Sequence, residues 1–432
     1  MMDLLVKDGR VYSGGRLMST DIWIKDGRIA ALGGYNRAAE RIDASGMIII
    51  PGAIDMHVHF REPGYTHKED WESGSISAAA GGVTTVVDQP NTDPPVMDAE
   101  SYKEKLNLAK RKSVVDFCLN GGPGDVESLL RAGASAIGEI FMYEMSDERL
   151  ARILEAVERL GALASVHAED GEVIRRYSEP LSEIGDPDVH SRARPPIAEV
   201  SAIDRVLSIS RCRLHICHIS TADGLDLVRK RGESRVSCEV APHHLFLSRR
   251  DYRRLGTFLK TNPPLRNPAD CDALWDGLRR GDIDVIASDH APHLPEEKRD
   301  DIWHAPPGVP GVETMLPLML YAVKSNMITL DRAIDALSAR PASILGLRSK
   351  GEIAVGKDAD LVIFDPKRQE RIDVQRLHSR ADWTPYEGKR AIFPVMTLVR
   401  GSVVFDGDVE VNPGYGRNIE TRMGKRPEES SD

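Results

Sequence analysis

The chain has 432 residues, 41% hydrophobic and 29% charged, with a net charge of -10. That composition is ordinary for a soluble globular protein, the length asks for one large domain plus an accessory one, and the acidic balance offers no basic patch for nucleic acid or anionic lipid. No apolar run nears the roughly 20 residues that span a bilayer, the first residues lack the pattern of a signal peptide, and Cys118, Cys212, Cys217, Cys238 and Cys271 form no C-x-x-C pair, so reduced thiols in the cytoplasm and a small-molecule partner are expected.

Residues 1–50 carry short apolar runs broken by Lys7-Asp-Gly-Arg10 and Lys25-Asp-Gly-Arg28, a repeated Asp-Gly hairpin signal. The same texture returns at Gly351 to Asp365 and Val395 to Phe405. Residues 1–50 and 350–415 therefore predict one small β-sandwich-like domain built from both termini, and the charged, Gly- and Pro-containing tail 416–432 predicts disorder. Residues 51–349 have another rhythm, with apolar runs alternating with helical stretches. Strands are expected at Met47–His57, Val83–Gln89, Val114–Asn120, Ala136–Met142, Leu163–His167, Leu214–His218, Arg235–Val240 and Val285–Ser288. Eight βα units of this size predict an α/β fold, a TIM (β/α)8 barrel, whose active sites lie at the C-terminal strand ends.

Polar residues recur at those ends. The first strand runs into His57 and His59, which share a face at strand spacing and make a pair of metal ligands. Arg61 keeps the same parity and suits a carboxylate. Asn91 follows the second strand, Glu139 lies on the fourth and His167 ends the fifth. His215 and His218 are an odd number apart, so on a regular strand only one faces the lumen, and His218 is nearer the C-terminal end. Asp289 and His293 follow the eighth strand, while His243 and His244 after the seventh read as structural. Asn91 can alternatively close a turn, Glu139 can be a barrel-interior carboxylate paired to a lysine, and His293 can simply stabilise its loop. Taken together, the four histidines, the glutamate and the aspartate suit a hydrolytic site with one or two zinc ions. Asp289 would move the proton, and Arg61, Asn91 and His293 would hold an anionic substrate. No nucleophilic Ser or Cys beside a base stands out, nor a glycine-rich phosphate loop.

With these residues in place the chain resembles the dihydroorotase family of the amidohydrolase superfamily, the type with a His-Phe-Arg-Glu-Pro-Gly signature. The blocks that carry the resemblance are Asp55-Met-His-Val-His-Phe-Arg-Glu-Pro-Gly64, Lys68-Glu-Asp70, Gly81-Gly-Val-Thr-Thr85, Pro90-Asn-Thr92 and His167-Ala-Glu-Asp170. Arg194-Pro195, His218-Ile-Ser-Thr221, Asn262-Pro-Pro-Leu-Arg266, Ser288-Asp-His-Ala-Pro-His293 and Gly308-Val-Pro-Gly-Val-Glu-Thr314 continue it through the barrel. The resemblance implies reversible interconversion of N-carbamoyl-L-aspartate and L-dihydroorotate in pyrimidine biosynthesis. It implies His57, His59, Glu139, His167, His218 and Asp289 as metal ligands, with Asp289 also the acid and base. His59, Arg61, Asn91, Asn262, His293 and the backbone of Pro307 and Gly308 would then contact substrate. A homodimer and an association with aspartate transcarbamoylase are partners the resemblance allows.

The sequence departs from that pattern in two places. Glu139 stands where many members of the superfamily have a carboxylated lysine bridging two metals, and it is several bonds shorter, so it bridges only if the metals sit closer to the fourth strand. Gln89 stands where the family commonly has methionine. The rival activities are those of allantoinases and dihydropyrimidinases, against which Arg61 and Asn262 argue, because a ring without a carboxylate would leave a buried arginine unpaired. A non-catalytic, dihydroorotase-like scaffold is the remaining alternative, and only Glu139 favours it.

Overall fold

A computed structural model describes residues 2–34 and 37–421. Its middle is a closed parallel barrel, as the alternating rhythm predicts. The strands are β1 (Ala53–Val58), β2 (Val83–Asp88), β3 (Asp116–Leu119), β4 (Ile137–Phe141), β5 (Leu163–His167), β6 (Arg213–Ile216), β7 (Val236–Val240) and β8 (Val285–Ile286). β1 to β3 form one sheet and β4 to β8 another. The parallel bridges Gly121↔Ile137 and Val58↔His290 join the two, so no strand is left with an open edge. The outer helices bury one stripe each. In Asp147–Arg159 that stripe is Leu150, Ile153, Leu154 and Val157, at helical spacing, and the Ser146 hydroxyl caps the first turn by accepting from the Arg149 N–H.

The run expected as a single first strand, Met47–His57, is divided between two sheets. Ile48–Pro51 pairs antiparallel with Leu361–Phe364 from the other end of the chain, and only β1 enters the barrel. The break falls at Gly52, where an added Cβ would lie 2.1 Å from Thr84 Oγ1. Only glycine lets the backbone pass so close. Around Ile48–Pro51 a six-stranded sheet contains Arg10–Ser13, Arg16–Ser19, Leu361–Phe364, Met396–Val399 and Ser402–Phe405. A four-stranded sheet of Met2–Lys7, Ile22–Lys25, Arg28–Leu32 and Ala38–Asp43 accompanies it. Leu4, Val6, Ile24, Ile49, Leu361, Ile363 and Leu398 from the two sheets share one core, so strands from both ends of the chain make a sandwich.

Two stretches lie elsewhere than their position in the chain suggests. Residues 416–421 were expected in a disordered tail, yet Gly416 N–H donates to Ser113 O, Phe117 N–H to Arg417 O and Ile419 N–H to Phe117 O. Ile419 also packs against the apolar cluster that contains Ile54, Val87 and Leu163, so an apolar residue inside a polar tail anchors it. Residues 422–432 lie outside the described residues. Residues 378–386, within the span assigned to the terminal domain, instead reach the loops at the barrel mouth.

Among the described residues no helix is long and apolar enough to cross a membrane. All five cysteines are free and buried.

Candidate metal centre

The C-terminal strand ends converge on Glu139. This carboxylate on β4 is almost wholly buried, and its two oxygens face two different pairs of histidines. Oε2 lies 3.3 Å from His57 Nε2 and 3.9 Å from His59 Nε2. Oε1 lies 3.0 Å from His167 Nδ1 and 2.7 Å from His218 Nε2. Asp289 closes the first pair from the β8 side, with Oδ1 3.3 Å from His59 Nε2 and 3.7 Å from His57 Nε2. His57, His59 and Glu139 form one group of donors spaced to hold an ion, and Glu139, His167 and His218 form a second. Glu139 belongs to both.

Each of three histidines is oriented by the nitrogen that faces away from this centre. His57 Nδ1 lies 2.6 Å from Glu239 Oε1 on β7, and Glu239 Oε2 in turn lies 3.0 Å from His215 Nε2. His167 Nε2 lies 2.7 Å from Glu169 Oε2, and Arg194 donates to the same carboxylate. His59 Nδ1 lies 2.7 Å from the Asn91 amide oxygen. An acceptor behind each ring places the proton on that nitrogen. The nitrogens facing Glu139 and Asp289 then meet the carboxylate oxygens, 3.0 to 3.9 Å away, only across a shared cation, either a proton or a metal ion. Such an arrangement is repulsive until a cation stands between the donors, and N/O donors of this kind suit a divalent metal. His57 Nε2 accordingly has no hydrogen-bond partner among the described residues.

The electrostatics agree with a cation site. Burial alone would raise the Asp289 carboxyl, but the hydrogen bond from His59 and the nearby His57 and His218 bring it down to about 2. Burial lowers His167, and the carboxylates of Glu139 and Glu169 more than reverse this, raising it to about 9. Asp55, at the floor, accepts the N–H groups of His57 and Ser288 and ties β1 to the end of β8.

The strand-parity reasoning holds only in part. His218, Asp289 and Arg61 all have left-handed backbones, with φ of 32°, 46° and 63°. They sit in turns beyond the strands, where alternation no longer applies. His218 is the one that joins Glu139 and His167, as expected, but from a turn, since β6 ends at Ile216, while His215 on the strand meets Glu239 behind His57. Arg61 reaches the site from its turn, donating from Nε to Pro292 O at 3.2 Å, with Nη2 3.0 Å from His293 Nε2. His293 Nε2 is also 3.0 Å from Pro307 O, and Lys68 Nζ is 3.1 Å from its Nδ1. Asn262 is half-buried with its Oδ1 3.0 Å from His190 Nε2. Gly308 donates its N–H to Lys260 O and accepts from Lys298 Nζ, so its backbone is already engaged within the protein.

Sequence reasoning missed several residues here. Glu169 is two residues from His167, and Glu239 alternates with Ser237 in an otherwise apolar strand, so both left a trace. Trp383 and Lys298 left none. His243 and His244 are buried, and none of their ring nitrogens has a hydrogen-bond partner among the described residues. Burial lowers the basicity of both, bringing His243 to about 4.

Residues 48–404 match the model of the amidohydrolase family. The chain is 45% identical to a dihydroorotase of Methanosarcina mazei, covering 99% of this chain and 100% of that one. It is 44% identical to a dihydroorotase of Halobacterium salinarum over 96% of this chain and 98% of that one. Among solved structures it superposes on the L-hydantoinase (dihydropyrimidinase) of Arthrobacter aurescens with a TM-score of 0.93, at 32% identity, over 98% of this chain and 100% of the other. A D-hydantoinase gives a TM-score of 0.92 at 30% identity, over 98% of this chain and 100% of the other.

Proposed function

The chain belongs to the amidohydrolase family, and we propose that it interconverts N-carbamoyl-L-aspartate and L-dihydroorotate, the dihydroorotase reaction of pyrimidine biosynthesis. The observation that carries this reading is Arg61. It is 8% exposed, and no carboxylate among the described residues lies within ion-pair distance of it. Burial brings its guanidinium down to about 10, still charged at neutral pH, against the opposing pull of Asp289. A buried, unpaired guanidinium costs several kcal/mol, which a ligand carboxylate would offset by charge-assisted hydrogen bonds. L-dihydroorotate has that carboxylate, whereas simple hydantoins and dihydropyrimidines lack it. The dihydroorotase relatives, at 45% and 44% identity, support the same choice over the hydantoinases that share the fold.

In this reading His57, His59, Glu139, His167, His218 and Asp289 would hold one or two zinc ions, Glu139 belonging to both groups of donors. A zinc ion held there would activate water at neutral pH and polarise the ring amide. Asp289, ionised at neutral pH, takes a proton in one direction and returns it to the ring nitrogen in the other, since a reversible reaction uses one residue as both base and acid. Arg61 and His293 anchor the carboxylate, and that anchor fixes which ring bond faces Asp289. The Asn91 amide N–H2, free of the His59 contact, and Asn262 serve the polar edge of the ring. Pro307 and Gly308 act through the shape of the rim. The five buried thiols suit a reducing cytoplasm. A homodimer and an association with aspartate transcarbamoylase complete the proposal, and sedimentation with and without that enzyme tests both.

The decisive experiment is turnover of L-dihydroorotate by purified protein, with zinc per chain determined on the same sample. Turnover with about two zinc ions per chain is expected if Glu139 is shared. Bound zinc with turnover of hydantoin or dihydrouracil alone would overturn the substrate assignment.

A further inference from the structure

The segment at residues 378–386 is far in sequence from every candidate site residue, yet it fastens to both loops that form the rim. On one side Ser379 Oγ donates to Glu69 Oε2 at 2.6 Å, and Arg380 donates to Thr66 O at 2.6 Å and to Asp70 Oδ2 at 2.8 Å. These acceptors lie on the loop that follows Arg61. On the other side the Trp383 indole N–H donates to the His293 carbonyl at 2.7 Å.

The indole is itself held in place. Phe258 meets it edge-on with ring centroids 5.0 Å apart, and the Lys298 ammonium lies 5.8 Å from its centroid. Lys298 is wholly buried and donates to Lys260 O, Pro306 O and Gly308 O at 3.0, 2.8 and 3.0 Å. One lysine thus gathers the backbone of the 306–308 turn, and one tryptophan gathers the loop that presents His293.

We propose that Trp383 is a positioning residue for the substrate carboxylate, its N–H fixing the His293 backbone so that the imidazole stands beside the Arg61 guanidinium. This rests on the proposed reading in which Arg61 and His293 receive that carboxylate. A site for a small anion depends on donors held to a fraction of an ångström. Loop residues have no strand ladder to hold them, so a bond to the His293 main chain from outside the loop replaces it.

The test is Trp383→Phe, which keeps a ring against Phe258 and removes the N–H. KM for L-dihydroorotate should rise roughly tenfold with kcat within about twofold of wild type. The Kd of orotate, a planar carboxylate-bearing analogue, should rise by a similar factor in the holoenzyme. Metal per chain and thermal midpoint should stay at wild-type values. Unchanged KM and Kd overturn the assignment, and so does a loss of activity that tracks a lowered thermal midpoint, which is what packing alone would produce. Wild-type turnover is measured alongside. Its absence overturns the proposed function, whereas wild-type turnover with an unchanged KM in the variant overturns this assignment alone.

Discussion

The floor and the rim of the site are built on opposite terms. In the floor, negative groups stand between positive or polarisable ones. Glu139 is shared by two pairs of histidines, Glu239 links His57 to His215, and Glu169 links His167 to Arg194. In the rim the guanidinium of Arg61 is buried with no carboxylate among the described residues within ion-pair distance of it. The floor hangs largely on strands and their first turns, whereas the rim is made of loops tied to one another. A centre that must retain a cation is over-determined by its own protein, and a place where an anion comes and goes leaves one charge open for it.

This contrast can be broken most severely at Glu139. Glu139→Ala removes the carboxylate common to both histidine groups, and the expected outcome is loss of at least one metal ion per chain with kcat down by roughly 1,000-fold or more. Elemental analysis and steady-state kinetics check it, and unchanged metal content and activity would remove Glu139 from the centre. Arg61→Met should leave the metal in place and raise KM for L-dihydroorotate on the order of 100-fold, the cost of leaving a ligand carboxylate without its buried partner. If the metal were lost instead, floor and rim would not be separable. Glu239→Gln keeps the shape behind His57 but weakens the acceptor, so metal affinity should fall about 10- to 100-fold while KM holds. Competition with a chelator measures that. Lys350→Met lies outside both regions. Lys350 Nζ is buried 2.7 Å from Asp116 and 2.6 Å from Asp360, so denaturant unfolding should show a loss of roughly 3–5 kcal/mol. Its kcat/KM should remain within about twofold of wild type.

The floor was the more legible half. His57, Glu139 and His167 are chemically distinctive residues on barrel strands, the first two where the ladder shifts register, and His59, His218 and Asp289 follow such strands within three residues, so the barrel rhythm and residue type together find them. What the sequence hides is the tertiary partner. Glu239 gains its meaning only once β7 lies beside β6. Trp383 gains it only once a loop from beyond the barrel crosses the mouth, and no local pattern announces that. Arg61 reads as a strand residue by parity, although its left-handed backbone places it in a turn. Gly52 reads as an ordinary member of an apolar run until Thr84 is found against it.

The pairing of Ile48–Pro51 with Leu361–Phe364 has a consequence for how the protein is made. A ribosome delivers the first strand of that pair long before the second, with the whole barrel in between. Until Leu361–Phe364 emerges, Ile48–Pro51 waits with one edge unpaired, while the four-stranded sheet of residues 2–43 has all its strands from the start. Synthesis therefore runs from an open edge, through a barrel that can assemble on the way, to a seam stitched shut only once Leu361–Phe364 has emerged.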